Sequence, residues 1–397
     1  MDKDKQIQKV DKLSLKKLSE DSSLAKRGLR DIGIWPKIQT LLKEIEAQFF
    51  AHNYQKCIEL CDEALASEPV LYVPLCFKAL CFVRLEKYEE AINWFDKALQ
   101  TELPLETTPL EQKYEKDKPV YTKPDFEIAI GNKGFCLLKL GKYEEAIPYL
   151  DQALKINPQN YINLTNKAFC LSELGKNDEA LIFYEKALVL QPIADKYYDF
   201  KGTLNDYYQL LRKTPESELL TKIDNFYYEN EKDIAFLLWQ AYLDDNKENL
   251  KTLIQRARDK FKQNEYFYSI DLFSICIKRD GTLFYSWQFR GDCYWKLNDY
   301  KNALSDYLKS IELDPTNGAA YDNAAMCFFN IGDYDKAHSY IDRAIEIEGE
   351  NDMPMVRKAQ FFEFQQRKTE ALNQYKKTLE KFPNSEYAQK KILELTK

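Results

Sequence analysis

Apolar residues along the chain recur three and four positions apart over runs of about a dozen residues, and a short polar stretch breaks each run from the next. That spacing belongs to helices with one buried face, so it predicts many short helices joined by tight connections. Three lines show a further order: "GNKGFCLLKLGKYEEAIPYLDQALKINP" (131–158), "TNKAFCLSELGKNDEALIFYEKALVLQP" (165–192) and "QFRGDCYWKLNDYKNALSDYLKSIELDP" (288–315). A small residue, a tyrosine or similar group, an alanine, an aromatic, a second small residue and a proline recur at fixed offsets. The late small position falls at Ala64, Ala98, Ala153, Ala187, Cys276, Ser310, Ala344 and Thr378, at intervals of 34, 55, 34, 89, 34, 34 and 34. A helix hairpin of this size cannot bury its apolar face alone, so neighbouring units must stack.

The pattern resembles the tetratricopeptide repeat (TPR) family, whose unit is a pair of antiparallel helices. By that resemblance the units are 38–71, 72–105, 127–160 and 161–194, then 250–283, 284–317, 318–351 and 352–385. Gly134, Ala168, Gly291 and Ala325 fill the small position where two helices cross, and Ala146, Ala180, Ala303 and Ala337 fill the second. Ile45, Cys57, Ser269 and Thr378 depart from it. Small residues let backbones approach while the following aromatic fills the neighbouring groove. Pro158, Pro192, Pro315 and Pro383 stop the second helices. The resemblance implies an all-α TPR solenoid, a right-handed superhelix of antiparallel helix pairs, in two arrays joined by an irregular helical segment. The tail "SEYAQKKILELTK" reads as a capping helix, 386–397.

Two stretches break the period. The interval from Ala98 to Ala153 is one unit plus 21 residues, "ETTPLEQKYEKDKPVYTKPDF" (106–126), inserted between units rather than inside a helix. It reads as a surface loop, or as a flap that folds back through Tyr114, Val120, Tyr121 and Phe126. Residues 195–249 carry three aromatic-rich stretches of helical spacing, with a helix start at Thr214–Pro215. A degenerate unit with Ala241 at the late small position fits there. Residues 1–37 read as a mobile segment, ending in a short helix docked through Ile34 and Trp35.

Composition narrows the chemistry. Only 12 glycines in 397 residues, with 30% charged and 14% aromatic residues, suit helices and not phosphate-cradling loops. A formal charge of −7 disfavours nucleic acid as a partner. With no membrane-spanning run and an acid-containing start, the chain is expected to be intracellular, soluble and cytoplasmic. Five of nine cysteines (Cys81, Cys136, Cys170, Cys293, Cys327) share one slot per unit, which is a packing position and not a metal-ligand spacing. His52 and His338 are too far apart along the array to form a dyad. Glu144, Glu145, Asp178 and Glu179 open second helices, where acids complement the helix dipole. No catalytic residue, metal site or cofactor is expected, and the chain reads as a non-enzyme.

The resemblance also implies a binding face. In TPR arrays the first helices line a concave groove, with contacts at slots two, five, six, nine, twelve and thirteen of each unit. In the first array this selects Val73, Cys76, Phe77, Leu80, Val83, Ile128, Asn132, Phe135, Leu138, Asn166 and Phe169, an apolar trough. In the second it selects Tyr285, Phe289, Asp292, Trp295, Asn323, Met326, Phe329 and Arg357. Asn132, Asn166 and Asn323 all hold slot six, where an amide can bond the backbone of an extended peptide. The expected partner is therefore a protein segment, an extended peptide or an amphipathic helix, held by a scaffold or adaptor. Oligomeric state is left open. The chaperone-binding subclass clamps a C-terminal carboxylate with Lys and Asn, then Asn, then Lys and Arg. Asn323 and Arg357 match that set, but Gln288, Asp292 and Met353 do not. In the first three units Leu42, Glu46 and Phe77 fail it.

Overall fold

Nine described residues take the left-handed backbone region: His52, Glu86, Gly141, Gly175, Asn230, Asn264, Asn298, Gly332 and Gln366. Their spacings are 34, 55, 34, 55, 34, 34, 34 and 34, so each marks the turn inside one helix pair. At Gly141 the two amides that follow the helix bond back to Leu138 O and Leu137 O, both at 2.9 Å. The same pair of bonds recurs at the other eight turns. This left-handed stop satisfies the last carbonyls of one helix and reverses the chain into the next.

The computed structural model describes residues 34–101 except 68 and 70, then 124–190, 200–349 and 351–396. Within them lie twenty helices and no strand. In the N-terminal part these are α1 (Ile34–Phe50), α2 (Tyr54–Ser67), α3 (Tyr72–Arg84), α4 (Tyr88–Gln100), α5 (Pro124–Lys139), α6 (Tyr143–Ile156), α7 (Tyr161–Glu173) and α8 (Asn177–Leu190). Then come α9 (Phe200–Leu211), α10 (Glu216–Tyr228), α11 (Lys232–Asp245), α12 (Asn249–Lys262), α13 (Tyr266–Arg279) and α14 (Phe284–Lys296). The series closes with α15 (Tyr300–Leu313), α16 (Gly318–Ile331), α17 (Tyr334–Ile347), α18 (Met353–Phe364), α19 (Lys368–Lys381) and α20 (Glu386–Thr396). The chain divides into two compact units, Met1–Leu238 and Trp239–Lys397, with the division inside α11.

Helix pairs cross at the expected small residues. A β-carbon on Gly134 would lie 2.9 Å from Leu150 Cγ, and one on Gly291 would lie 2.9 Å from Tyr307 Cε1. Ala146, Ala180, Ala303 and Ala337 are fully buried, as are Cys81, Cys136, Cys170, Cys293 and Cys327. Pro158, Pro315 and Pro383 each follow the end of a second helix by two residues.

Within 200–248 the described helices are α9, α10 and α11. Asn230 turns the chain 34 residues before Asn264, so α10 and α11 form a helix pair in step with those that follow. What remains out of step is 195–215, another 21 residues, of which α9 is the described helix. By the same count Ile223 holds the first small position, Ala235 the second and Tyr242 the late one, one residue on from the expected Ala241, and all three are buried. Large side chains at the first and last of these hide the pattern in the sequence. Similarly, α5 begins at Pro124, inside the stretch assigned to the first insertion. Phe126 is buried edge-on against Tyr72, 5.2 Å between ring centres, so it belongs to the stack and not to a flap. Tyr114, Val120, Tyr121, residues 1–33 and the side chains of Ile34 and Trp35 lie outside what is described.

Successive pairs are tied by a device with no counterpart in the repeat signature. Lys78, Lys133, Lys167 and Lys358 hold the seventh slot of their units, and each reaches an aspartate on the second helix of the unit before: Asp62, Asp96, Asp151 and Asp342. Lys222, on α10, does the same with Glu185 at 2.7 Å. Three of these ammonium groups also lie over an aromatic of their own unit, Trp94 at 3.8 Å, Tyr149 at 4.3 Å and Phe183 at 3.9 Å. The long lysine stem is buried while its charge meets a partly exposed carboxylate, which lets a cation sit at a nearly closed junction. Each tie fixes a first helix against the second helix of the unit before it.

Candidate groove faces

In the C-terminal unit, side chains of successive first helices meet in a regular ladder. Arg258 of α12 lies over the Phe289 ring of α14, 4.8 Å from its centre, and Phe289 also stacks on Phe273 at 5.8 Å. One turn further, Asp292 of α14 accepts a hydrogen bond from Asn323 Nδ2 of α16 at 3.2 Å. Asp322 of α16 pairs with Arg357 of α18. Along α14, Tyr285, Phe289, Asp292 and Lys296 stand at one-turn intervals, so the helix presents a single stripe. Trp295 lies tilted on Tyr300 at 4.9 Å.

An aromatic cluster ends the face. Phe329 stacks on Phe361 at 4.3 Å and meets Tyr334 and Phe364 edge-on or tilted at 5.1 and 5.2 Å. Phe364 is 70% exposed, and Ile331 and Tyr334 are exposed beside it. Phe364 and Arg258 were missed in the sequence, yet both sit at contact slots, thirteen and nine, so the same count applied to every unit finds them.

The buried and half-buried acids of this unit differ in how they are held. Asp306 takes a two-pronged bond from Arg290, at 2.8 Å each, and Asp322 has Arg357; in both, burial raises the carboxyl against the pull of the guanidinium. Asp292 receives only neutral donors, Tyr307 OH at 2.7 Å and Asn323, both on Oδ1. Burial pushes its carboxyl up to about 6, opposed by the Tyr307 hydroxyl and weakly by Lys296.

In the N-terminal unit the expected open trough is largely filled. Phe77 is fully buried with its ring edge-on to Phe49 of α1, 5.5 Å away, and Cys76, Leu80, Val83 and Leu138 are buried too. Helix α1 supplies the cover, so Phe77 is not available to a partner. What stays partly open is Phe135, edge-on to Tyr88 with the Lys139 ammonium 5.3 Å above it, and Phe169, edge-on to Tyr143. Asn132 and Asn166 lie on the same two helices. Asn132 donates to Ile128 O at 2.9 Å, whereas the Asn166 amide is uncommitted among the described residues.

Residues with possible chemistry elsewhere are packed away. All nine cysteines are free and buried, and burial pushes the thiols of Cys136, Cys170, Cys276, Cys293 and Cys327 up to about 12. His338 stacks on Phe362 at 4.5 Å, and His52 sits in its turn beside Tyr54. Among the described residues no group of His, Cys, Asp or Glu is placed to hold a metal, and no helix is long and apolar enough to cross a membrane.

Family models for the tetratricopeptide repeat match residues 74–102, 128–160, 149–182, 284–317, 306–339 and 355–385. These ranges fall on the helix pairs described above. The chain belongs to the tetratricopeptide repeat family.

Among curated proteins, this TPR chain is similar to Hsp70-Hsp90 organizing protein 1 of Glycine max, 25% identical over 223 residues, 51% of this chain and 35% of the relative. The Arabidopsis thaliana Hsp70-Hsp90 organizing protein 2 is 24% identical over 213 residues, 49% and 34% of the two chains. The chain thus spans about a third of the length of the curated relatives it matches. Similar solved structures include MamA (19% identity, 41% of this chain and 94% of that one, TM-score 0.34). A second is the TPR2AB-domain:pHSP90 complex of yeast Sti1 (19%, 73% and 96%, TM-score 0.30).

Proposed function

We propose that this TPR protein is a non-enzymatic adaptor that holds a segment of a partner protein along its first helices, as a subunit of a larger assembly. The observation that carries this is the ladder on α12, α14, α16 and α18, where partly open aromatics alternate with amide and carboxylate groups at one-turn spacing. Such a surface offers apolar anchors and backbone-directed hydrogen bonds together, the two needs of an extended peptide. A smaller version recurs on α5 and α7, with Asn132, Phe135, Asn166 and Phe169. Panning a display library of random 16-residue peptides against the full chain tests it. Binders should lose about fivefold or more in affinity by calorimetry with Asn132→Ala/Asn166→Ala or with Asn323→Ala, at unchanged helical circular dichroism, since each bond lost is worth about 1 kcal/mol. No binders, or binders indifferent to both variants, would sink the reading.

The curated relatives favour a second reading, a TPR co-chaperone or regulatory subunit that grips a C-terminal acidic peptide. The geometry weighs against it. The two residues that match the clamp, Asn323 and Arg357, are already engaged by Asp292 and Asp322. An incoming carboxylate would have to displace one acid and lie beside the other. A peptide with a free carboxyl terminus and its amidated twin should therefore bind alike; a strong preference for the free acid would establish the clamp instead.

A further inference from the structure

On the first-helix face of the C-terminal unit, Asp322 leaves Oδ1 unbonded but has a guanidinium at Oδ2, whereas Asp292 has no cationic partner among the described residues. Both of its hydrogen bonds, from Tyr307 and Asn323, converge on Oδ1, which leaves Oδ2 without a partner among those residues. Arg357 is held by Asp322, and neither of two further cations, one on α12 and one on α14, bonds Asp292. Arg258 is stationed on the Phe289 ring, and Lys296 is exposed one turn further along α14. A partly buried carboxylate in that condition is costly, as the rise of its proton affinity shows. Phe289 and Tyr285 stand one and two turns before it on α14 and Trp295 one turn after, all partly open. Phe289 already has Arg258 and Phe273 against its ring, so Tyr285 and Trp295 supply the open aromatic surface on the two sides of the acid. That surface suits a long aliphatic stem that ends in a positive charge.

We propose that the first-helix face of the C-terminal unit selects a protein segment carrying a lysine or arginine, whose cation pairs with Asp292 Oδ2. The inference rests on the peptide-groove reading and sharpens it: the preferred partner is basic at this point, the reverse of a clamp for acidic tails. Arginine has the advantage, because its fork can bond Oδ2 while its plane lies on an aromatic ring.

The random-peptide selection on the full chain decides it, using the binders whose affinity falls with Asn323→Ala. Those binders should carry a lysine or arginine. Replacing that residue with glutamine in the synthetic peptide should weaken binding at least tenfold to the natural chain and under threefold to the Asp292→Asn chain. Asparagine keeps the oxygen that Tyr307 and Asn323 bond, so the variant removes charge and leaves the ladder. Binders sensitive to Asn323→Ala that lack a basic residue, or whose basic residue is worth the same on both chains, would overturn the proposal and leave the groove reading intact. An absence of such binders would overturn both.

Discussion

Asp292→Asn should make the C-terminal unit more stable at neutral pH, and the gain should vanish in acid. Asp292 sits at about 6 when folded against an ordinary 3.8. At 1.36 kcal/mol per pKa unit that gap is worth roughly 3 kcal/mol. The carboxylate keeps part of its surface in water, so about 1–2 kcal/mol is the figure to expect. The sign follows from linkage. The folded state holds this proton more tightly than the unfolded chain, so the ionised group opposes folding above about pH 6, and the penalty fades as pH falls from 6 towards 3.8. Other groups titrate in the same range. Asp306 and Asp322 are raised as well, while Asp280, Asp333 and Glu370 are lowered by the bonds they accept. The difference between the natural chain and Asp292→Asn removes these shared contributions. Urea unfolding followed by tryptophan fluorescence is suitable, because Trp239, Trp287 and Trp295 report on this unit. The variant should lead by about 1–2 kcal/mol at pH 7.5, by about a third of that at pH 4.5 and by little at pH 3. A variant equal to or weaker than the natural chain at pH 7.5, or a lead that does not change with pH, would refute the assignment of Asp292 as an uncompensated acid. The expected lead would mean that the natural chain keeps this carboxylate at a cost in stability.

Two further outcomes follow from the packing. Glu86→Gly and Gln366→Gly should each raise stability by about 0.5–1 kcal/mol in thermal unfolding, because both residues hold φ near +60° where a β-carbon is strained; a loss of stability would mean that their side chains matter more than the turn. Gly291→Ala should cost about 1–3 kcal/mol, since the new methyl would sit 2.9 Å from the buried Tyr307 ring. It should also weaken any ligand of Asp292, whose position depends on the Tyr307 hydroxyl, and a neutral result in both assays would show that the ring has room to move.

The repeat was legible because its constraints are local. A crossing slot that admits only a small residue, a turn that reverses the chain and a proline that ends a helix all leave marks at fixed intervals, and Gly134, Ala146 and Pro158 can be read without a partner in view. Where the constraint was met another way the marks disappeared. The stretch 216–249 puts Ile223 and Tyr242 at two of the three small positions, and only Ala235 and the turn at Asn230 keep their places in the count. The lysine ties were visible as a residue type at one slot, but their meaning needed the aspartate of the preceding unit and the aromatic beneath the stem.

The candidate face was less legible, for a reason of the same kind. Counting slots places a side chain on a helix, and for Asn132, Phe135, Asn166, Phe169, Phe289, Asn323 and Phe329 that placement agrees with a partly open first-helix surface. Counting does not say what lies opposite. Phe77 holds a contact slot and is sealed by Phe49, and Arg357 holds one and is neutralised by Asp322. The sequence by itself determined the helices, their period and the faces they bury, because these follow from the spacing of side-chain sizes along a single chain. Tertiary structure alone decided which polar groups remain unspent: whether a carboxylate meets a guanidinium, an amide or nothing depends on distances between helices, and Asp292 stands out only once those distances are known.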